Sequence, residues 1–297
     1  PAKSVSMATK SSIFNSVSLT STFATAGRNS CACSTVPKIK AKTIALDITT
    51  IRDTIVVSTL KGLIMFKRSR FLLCSLLLAS PVYAHEFWIS PEKYEIMVGE
   101  PFAADFRVGQ GFSGSRQSYL KQRTTRHSYV QDGVEIAISG RNGDRPALKV
   151  SNLKNGLAIL VHETTDSTLK YNEFEKFQNF VKHKAFKDVI TAHKDRGLPQ
   201  TGFHESYRRF VKSLIAVGDG SGQDTSVGLQ IEIIAQANPY TDDMASGLQV
   251  LVLLEGKPRP NAQVELFARP TGTNQDAQVT LHFTNEMGIA TLPVQYG

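Results

Sequence analysis

Phe102-Ala-Ala-Asp-Phe-Arg-Val108 runs directly into Gly109-Gln-Gly111-Phe-Ser-Gly114, and the reading of that junction decides the fold. The glycine segment matches the dinucleotide-binding fingerprint letter for letter. That chemistry needs a strand, a tight turn and a helix whose N-terminus holds pyrophosphate. The next residues, Ser115-Arg-Gln-Ser118, have no helical apolar period. The glycines are therefore read as a turn between two strands. Outward from the junction, Phe87-Trp-Ile89 and residues 94–98, 134–138 and 157–161 are apolar runs of the same short kind. They are punctuated by Pro91, Gly99, Asp132-Gly133, Asn142-Gly-Asp144 and Asn155-Gly156. Short runs bounded by such turn residues predict a β-sandwich over 85–165.

The stretch beyond residue 165 reads differently. Tyr171, Phe174, Phe177, Val181, Phe186 and Val189 fall near helical spacing through about Asp195. Phe203, Tyr207, Phe210, Val211 and Leu214 predict a second amphipathic helix before Gly218, so 166–218 is expected to be a helical segment. On such a helix Glu205 would meet Arg208 and Arg209 at i+3 and i+4, a salt-bridged clamp between the flanking domains. From residue 219, apolar runs at 229–234, 248–254, 264–267, 279–283 and 289–294 alternate with turn signals at Asn238-Pro239, Gly256-Lys-Pro258 and Pro270-Thr-Gly272. They predict a second β-sandwich over 219–297. The expected fold is mostly β, with two Ig-like or transthyretin-like sandwiches joined by a short helical segment. The last residue directly follows a strand where another hairpin arm is expected, so the second sandwich is read as truncated.

The formal charge of +8 suggests nucleic acid until the chain is divided at Ala84. Residues 1–84 carry a net +9 and residues 85–297 a net −1, so the folded part is not basic and no nucleic-acid partner is expected. All three cysteines precede Ala84, which leaves no disulfide or Cys zinc site after it. Met65-Phe-Lys-Arg-Ser-Arg70, the apolar run 71–80 and Pro81-Val-Tyr-Ala84 form the basic, apolar and small-residue regions of a secretory signal. Cleavage after Ala84 would make His85 the mature N-terminus and would leave no transmembrane helix in the mature chain. Residues 1–64 are read as an upstream extension outside the fold, either a transit-like leader rich in Ser and Thr or sequence translated ahead of a start at Met65.

Several motifs fall short of chemistry. His162-Glu163 and His204-Glu205 each begin a zincin motif, but Asp166 and Arg208 stand where its second histidine belongs. The loop from Asp219 to Asp224 has Gln230 where an EF-hand needs its bidentate glutamate. No nucleophile elbow occurs, and no enzymatic activity is expected. The histidines remain. A freed His85 offers an α-amino and an imidazole nitrogen, a pair suited to copper or nickel if another histidine approaches. His127, His162 and His282 sit in or near predicted strands and are the candidate second ligands, against the commoner outcome of a hydrogen-bonded structural histidine. His183 and His193 would be about 15 Å apart on one regular helix and could not share a metal.

His85-Glu-Phe-Trp-Ile89 after the signal, Val98-Gly-Glu-Pro101 and Arg107-Val-Gly-Gln-Gly-Phe-Ser-Gly114 resemble the bacterial family called domain of unknown function 4198. The resemblance continues through Glu205-Ser-Tyr-Arg-Arg-Phe-Val-Lys-Ser-Leu214, Asn238-Pro-Tyr240 and Glu255-Gly-Lys-Pro258. Residues 256–264 and 284–288 are similar to a carboxypeptidase regulatory-like or transthyretin-like sandwich, which is non-catalytic. The family resemblance implies a periplasmic component of nickel or cobalt ABC transport. The expected function is thus an exported, periplasmic accessory protein that binds nickel, cobalt or copper, with metal ligands His85, His127 and His162 and a metal-ion transporter or other envelope protein as partner. The competing expectation is a metal-free envelope protein whose sandwiches bind a protein or glycan.

Overall fold

The computed structural model describes residues 18–21, 85–269 and 276–294. The expected secretory signal, the three cysteines and most of 1–64 lie outside the described residues; Ser18–Ser21, within the stretch expected to stand outside the fold, instead pairs with Arg208–Val211. In chain order the elements begin with β1 (Ser18–Ser21), β2 (Glu86–Pro91), β3 (Glu95–Ile96), β4 (Phe102–Gln110), β5 (Ser113–Gln117), β6 (Thr124–Gln131), β7 (Val134–Ala137), β8 (Leu148–Val150), β9 (Gly156–Thr164) and β10 (Ser167–Tyr171). The chain continues through α1 (Phe174–His183), α2 (Val189–Asp195), β11 (Phe203–Val217), β12 (Ile231–Ala235), β13 (Leu248–Leu254), β14 (Lys257–Pro258), β15 (Gln263–Ala268), β16 (Gln278–Phe283) and β17 (Ile289–Leu292).

The Gly109–Gly114 junction is a β-hairpin. Gly111 and Phe112 both have positive φ, +56° and +61°, the geometry of a two-residue turn whose twist matches its strands. A Cβ on Gly109 would collide with the Ser113 carbonyl, and one on Gly114 with the Val108 carbonyl and the Trp88 ring. The glycines serve close strand approach, with no phosphate-binding helix behind them.

β11, β9, β6 and β7 form the body of a central antiparallel sheet, and β10, β1 and β3 add to β11. One face of that sheet packs on β2, β4, β5 and β8 through Phe87, Ile89, Phe106, Leu148, Leu160 and Ile215. The opposite face, carrying Val130, Leu157, Ile159, Val161, Phe210 and Leu214, packs on the strands of the C-terminal half through Ile231, Leu248, Val250, Val264 and Leu292. The central sheet is therefore buried on both faces and shared by two cores. Each fully buried aliphatic or aromatic side chain contributes about 1.5–3 kcal/mol.

Two expectations are corrected. The helix expected over 203–214 is a strand: β11 pairs with β9 from Phe210↔Glu163 to Val217↔Gly156, and with β10 from residue 203 to 207. Its two faces feed different cores, Phe210 and Leu214 one way and Val211, Ile215 and Val217 the other. A strand buried on both sides reads as a continuous apolar run, which spacing alone does not separate from a helix. Among the described residues α-helix is confined to α1 and α2, which pack on an aromatic cluster of Tyr171, Phe177 and Phe180. Consequently Glu205 does not clamp Arg208 and Arg209. It accepts a hydrogen bond from the Tyr171 hydroxyl at 2.9 Å, while Arg208 bonds Asp166 at 2.8 Å and Glu163 at 3.1 Å.

The joint between the two halves is instead a buried ion cluster. Lys212 Nζ lies 2.7 Å from Asp224 and 3.1 Å from Glu232. The Glu232 carboxylate also accepts the backbone N–H groups of Val227, Gly228 and Leu229 and the Ser226 hydroxyl. On β16 the alternation is inverted: Val279, Leu281 and Phe283 are exposed, while His282 lies opposite the buried Val264.

Candidate functional site

β6 and β9 pair with His127 directly opposite His162. Both residues share a face with Tyr129 and Leu160, so both imidazoles enter the core between the central sheet and β2–β4. The rings meet edge-on, with centroids 5.4 Å apart and planes at 89°. Phe106 covers His162 at 4.1 Å and Phe87 lies 5.6 Å from it, while Tyr119 lies 4.8 Å from His127. His162 is 2% exposed and His127 8%.

Burial disfavours the charged imidazolium. It pushes His127 down to about 4, against a weak opposing pull from the nearby Ala147 backbone. Burial, with the neighbouring His127 second, pushes His162 down to about 3. Both rings are neutral at physiological pH. Both nitrogens of His127 and Nδ1 of His162 nevertheless lack a partner of good hydrogen-bond geometry among the described residues, with the Ala147 backbone near His127 and the Arg126 backbone near His162. Buried polar atoms are ordinarily satisfied, so three unsatisfied ring nitrogens in one pair stand out against the core around them. The Arg209 guanidinium closes this end of the sandwich, 4.7 Å from the Tyr207 ring and 5.8 Å from that of Phe87.

The third expected ligand stays apart. His85 is exposed at the residue before β2. Strand alternation puts it on the same face as Phe87, about 7 Å further along toward the rim. Among the described residues no three His, Cys, Asp or Glu side chains converge on a common point. The structure thus joins His127 to His162 and leaves His85 outside the pair. His282 lies in the C-terminal half, with Nε2 2.9 Å from the Thr280 hydroxyl. His193 is buried on α2 and bonds the Pro199 carbonyl at 2.9 Å. Asp219 turns back onto the Ser221 N–H while Asp224 enters the ion cluster, so the loop between them does not gather carboxylates.

The donors present are uncharged imidazole nitrogens, which suit copper, nickel, cobalt or zinc and do not suit magnesium or calcium. Deprotonation is the state coordination requires, and both rings already hold it. Two donors form a partial set.

Sequence reasoning missed the Lys212–Asp224–Glu232 cluster. Its signal was present, since Lys212 and Glu232 each interrupt an otherwise apolar run. It also missed an aromatic cavity beside α2, because Phe177, Phe203 and Arg259 are brought together only by the fold.

No helix among the described residues is long and apolar enough to cross a membrane. A family model described as Domain of unknown function (DUF4198) matches residues 82–296. No curated protein and no solved structure matches the chain.

Proposed function

We propose that this chain, which belongs to the family described as Domain of unknown function (DUF4198), is an exported envelope protein that binds a transition-metal ion: nickel, cobalt or copper. It is read as a binding protein rather than an enzyme. The observation that carries this reading is the His127–His162 pair, neutral and with three ring nitrogens unsatisfied. The secretory signal ending at Ala84 supports export to the periplasm. Cleavage there would free the His85 amine just ahead of β2, two residues from Phe87, whose ring lies 5.6 Å from that of His162, and on that ground the processed terminus is read as the donor that joins the pair.

The test is titration of Cu(II), Ni(II) and Co(II) into four proteins: the chain beginning at His85, the same chain with one alanine added ahead of it, the His85→Ala variant, and a His127→Phe/His162→Phe double variant. The expected result is tight binding by the first and at least tenfold weaker binding by the other three. Equal affinity in all four would remove these histidines from any site. A metal-free envelope protein is the second reading, favoured by the outward apolar stripe of Val279, Leu281 and Phe283. Exposed contiguous apolar surface is characteristic of a partner interface, and absence of metal binding in every arm would leave that reading standing.

A further inference from the structure

A cavity of about 790 Å³ opens beside α2 and shares no lining residue with the histidine pair. Its floor is aromatic. Phe177 from α1, Phe186 from the segment between the helices and Phe203 at the start of β11 present their rings to it, with the Phe177 and Phe203 centroids 5.1 Å apart at nearly right angles. Three of its charged side chains are cations, Lys187 and Arg196 exposed at it and Arg259 half-buried in its wall, and His193, His204, Ser206 and Asn261 complete the polar lining with Glu205. The carboxylate at the cavity, Glu205, is itself buried and engaged by the Tyr171 hydroxyl.

Arg259 is the informative residue. Among the described residues its guanidinium has neither an ion pair nor a hydrogen bond, although burial around it is enough to push its pKa below the ordinary arginine value. Its backbone is held on both sides, the N–H donating to the Val252 carbonyl at 2.9 Å and the carbonyl accepting from the Thr284 hydroxyl at 2.6 Å. Pro258 and Pro260 flank it and fix the turn. Partial desolvation of an unpaired cation costs free energy that an anion would offset. Its planar fork suits two parallel hydrogen bonds to a carboxylate. The volume lies within the range of small-molecule sites, roughly 300–1,000 Å³, where an apolar lining carries a few polar anchors.

We propose that this cavity binds an organic anion whose single carboxylate pairs with Arg259 and whose apolar chain or ring lies on Phe177, Phe186 and Phe203. Lys187 and Arg196 steer the anion to the mouth. The same cations disfavour a metal ion there, so the site is independent of the histidine pair and stands or falls separately from the metal reading.

The experiment is calorimetric titration of the full chain with decanoate, decanol and decyltrimethylammonium, repeated on Arg259→Met and on Ala192→Trp. The second substitution adds an indole to the cavity wall from the exposed side of α2. Thermal melts of both variants confirm folding before titration. The expected result is one decanoate per chain, decanol at least tenfold weaker and no binding of the cationic amphiphile. Arg259→Met should weaken decanoate at least tenfold and leave decanol unchanged, and Ala192→Trp should weaken both. The proposal is overturned if decanoate does not bind, if decanoate and decanol bind alike, if Arg259→Met binds decanoate as the parent does, or if Ala192→Trp has no effect.

Discussion

Acidification should destabilise the metal-free protein by an amount set mainly by the histidine pair. An unfolded imidazole titrates near 6.5. In the folded protein burial holds His127 down at about 4 and His162 at about 3. Below pH 6.5 the unfolded chain therefore binds protons that the folded chain refuses, so stability is full above that pH and is lost as pH falls toward 4 and 3. Between pH 8 and pH 5 each histidine spans about 1.5 pH units of this window, a loss of about 2 kcal/mol each and about 4 kcal/mol for the pair. Against a typical total of about 5–15 kcal/mol that is a large fraction. Urea unfolding in EDTA, followed by the fluorescence of Trp88, the single tryptophan, gives the comparison directly. Trp88 is 1% exposed in the folded state, where its ring stacks on Phe112 on the face of β2 opposite Phe87 and Ile89, and it reports loss of the β2–β4–β5 packing. The His127→Phe/His162→Phe variant isolates the pair from carboxylates that titrate in the same range, and its loss between the two pH values should be smaller by about 4 kcal/mol. Equal losses in parent and variant would refute the assignment of neutral, desolvated rings.

Lys212→Met leaves Asp224 and Glu232 buried without their cation and should cost about 3–5 kcal/mol in urea denaturation at neutral pH. The deficit should shrink on acidification, because burial already raises Asp224 and the folded form then gains stability by taking up protons. Gly114→Ala forces a methyl group into the Val108 carbonyl and the Trp88 ring. It should lower thermal stability by about 1–3 kcal/mol, with a shift in Trp88 emission.

The strands around the Gly109–Gly114 turn were legible because the signals there are local. Apolar runs, turn residues and the missing helical period all agreed within a few residues. β11 was not, because its apolar residues serve two cores and the period-two pattern vanishes when both faces are buried. β16 was legible as a strand, but the alternation left open which side is covered, and its apolar side is the outer one. Alternation identifies a strand without saying which face is covered. At the site, the sequence supplied His127 and His162 as separate candidates in strands, and only the β6–β9 register set them opposite each other. The distance of His85 from them, and the meeting of Arg259 with the aromatic residues of α1 and β11, depend on packing between segments far apart in the chain.

The shared central sheet makes the two halves thermodynamically inseparable. Removing 219–297 would expose Val130, Leu157, Ile159, Val161, Phe210 and Leu214 along one face of β6, β9 and β11. At about 1.5–3 kcal/mol for each such side chain, the lost burial equals or exceeds the whole stability of an ordinary domain. The converse cut strips Ile231, Leu248, Val250 and Leu292 of the surface they pack on and leaves Glu232 without Lys212. The protein should therefore unfold in one step, with the fluorescence of Trp88 and the far-ultraviolet circular dichroism of all strands sharing a midpoint. Hydrogen exchange should give β4 of the first sandwich and β13 of the second the same opening free energy within about 1 kcal/mol, the signature of a single cooperative unit. Two resolved transitions, or a soluble and folded 85–218 fragment, would show that the face shared between the cores is an adhesion between independent domains.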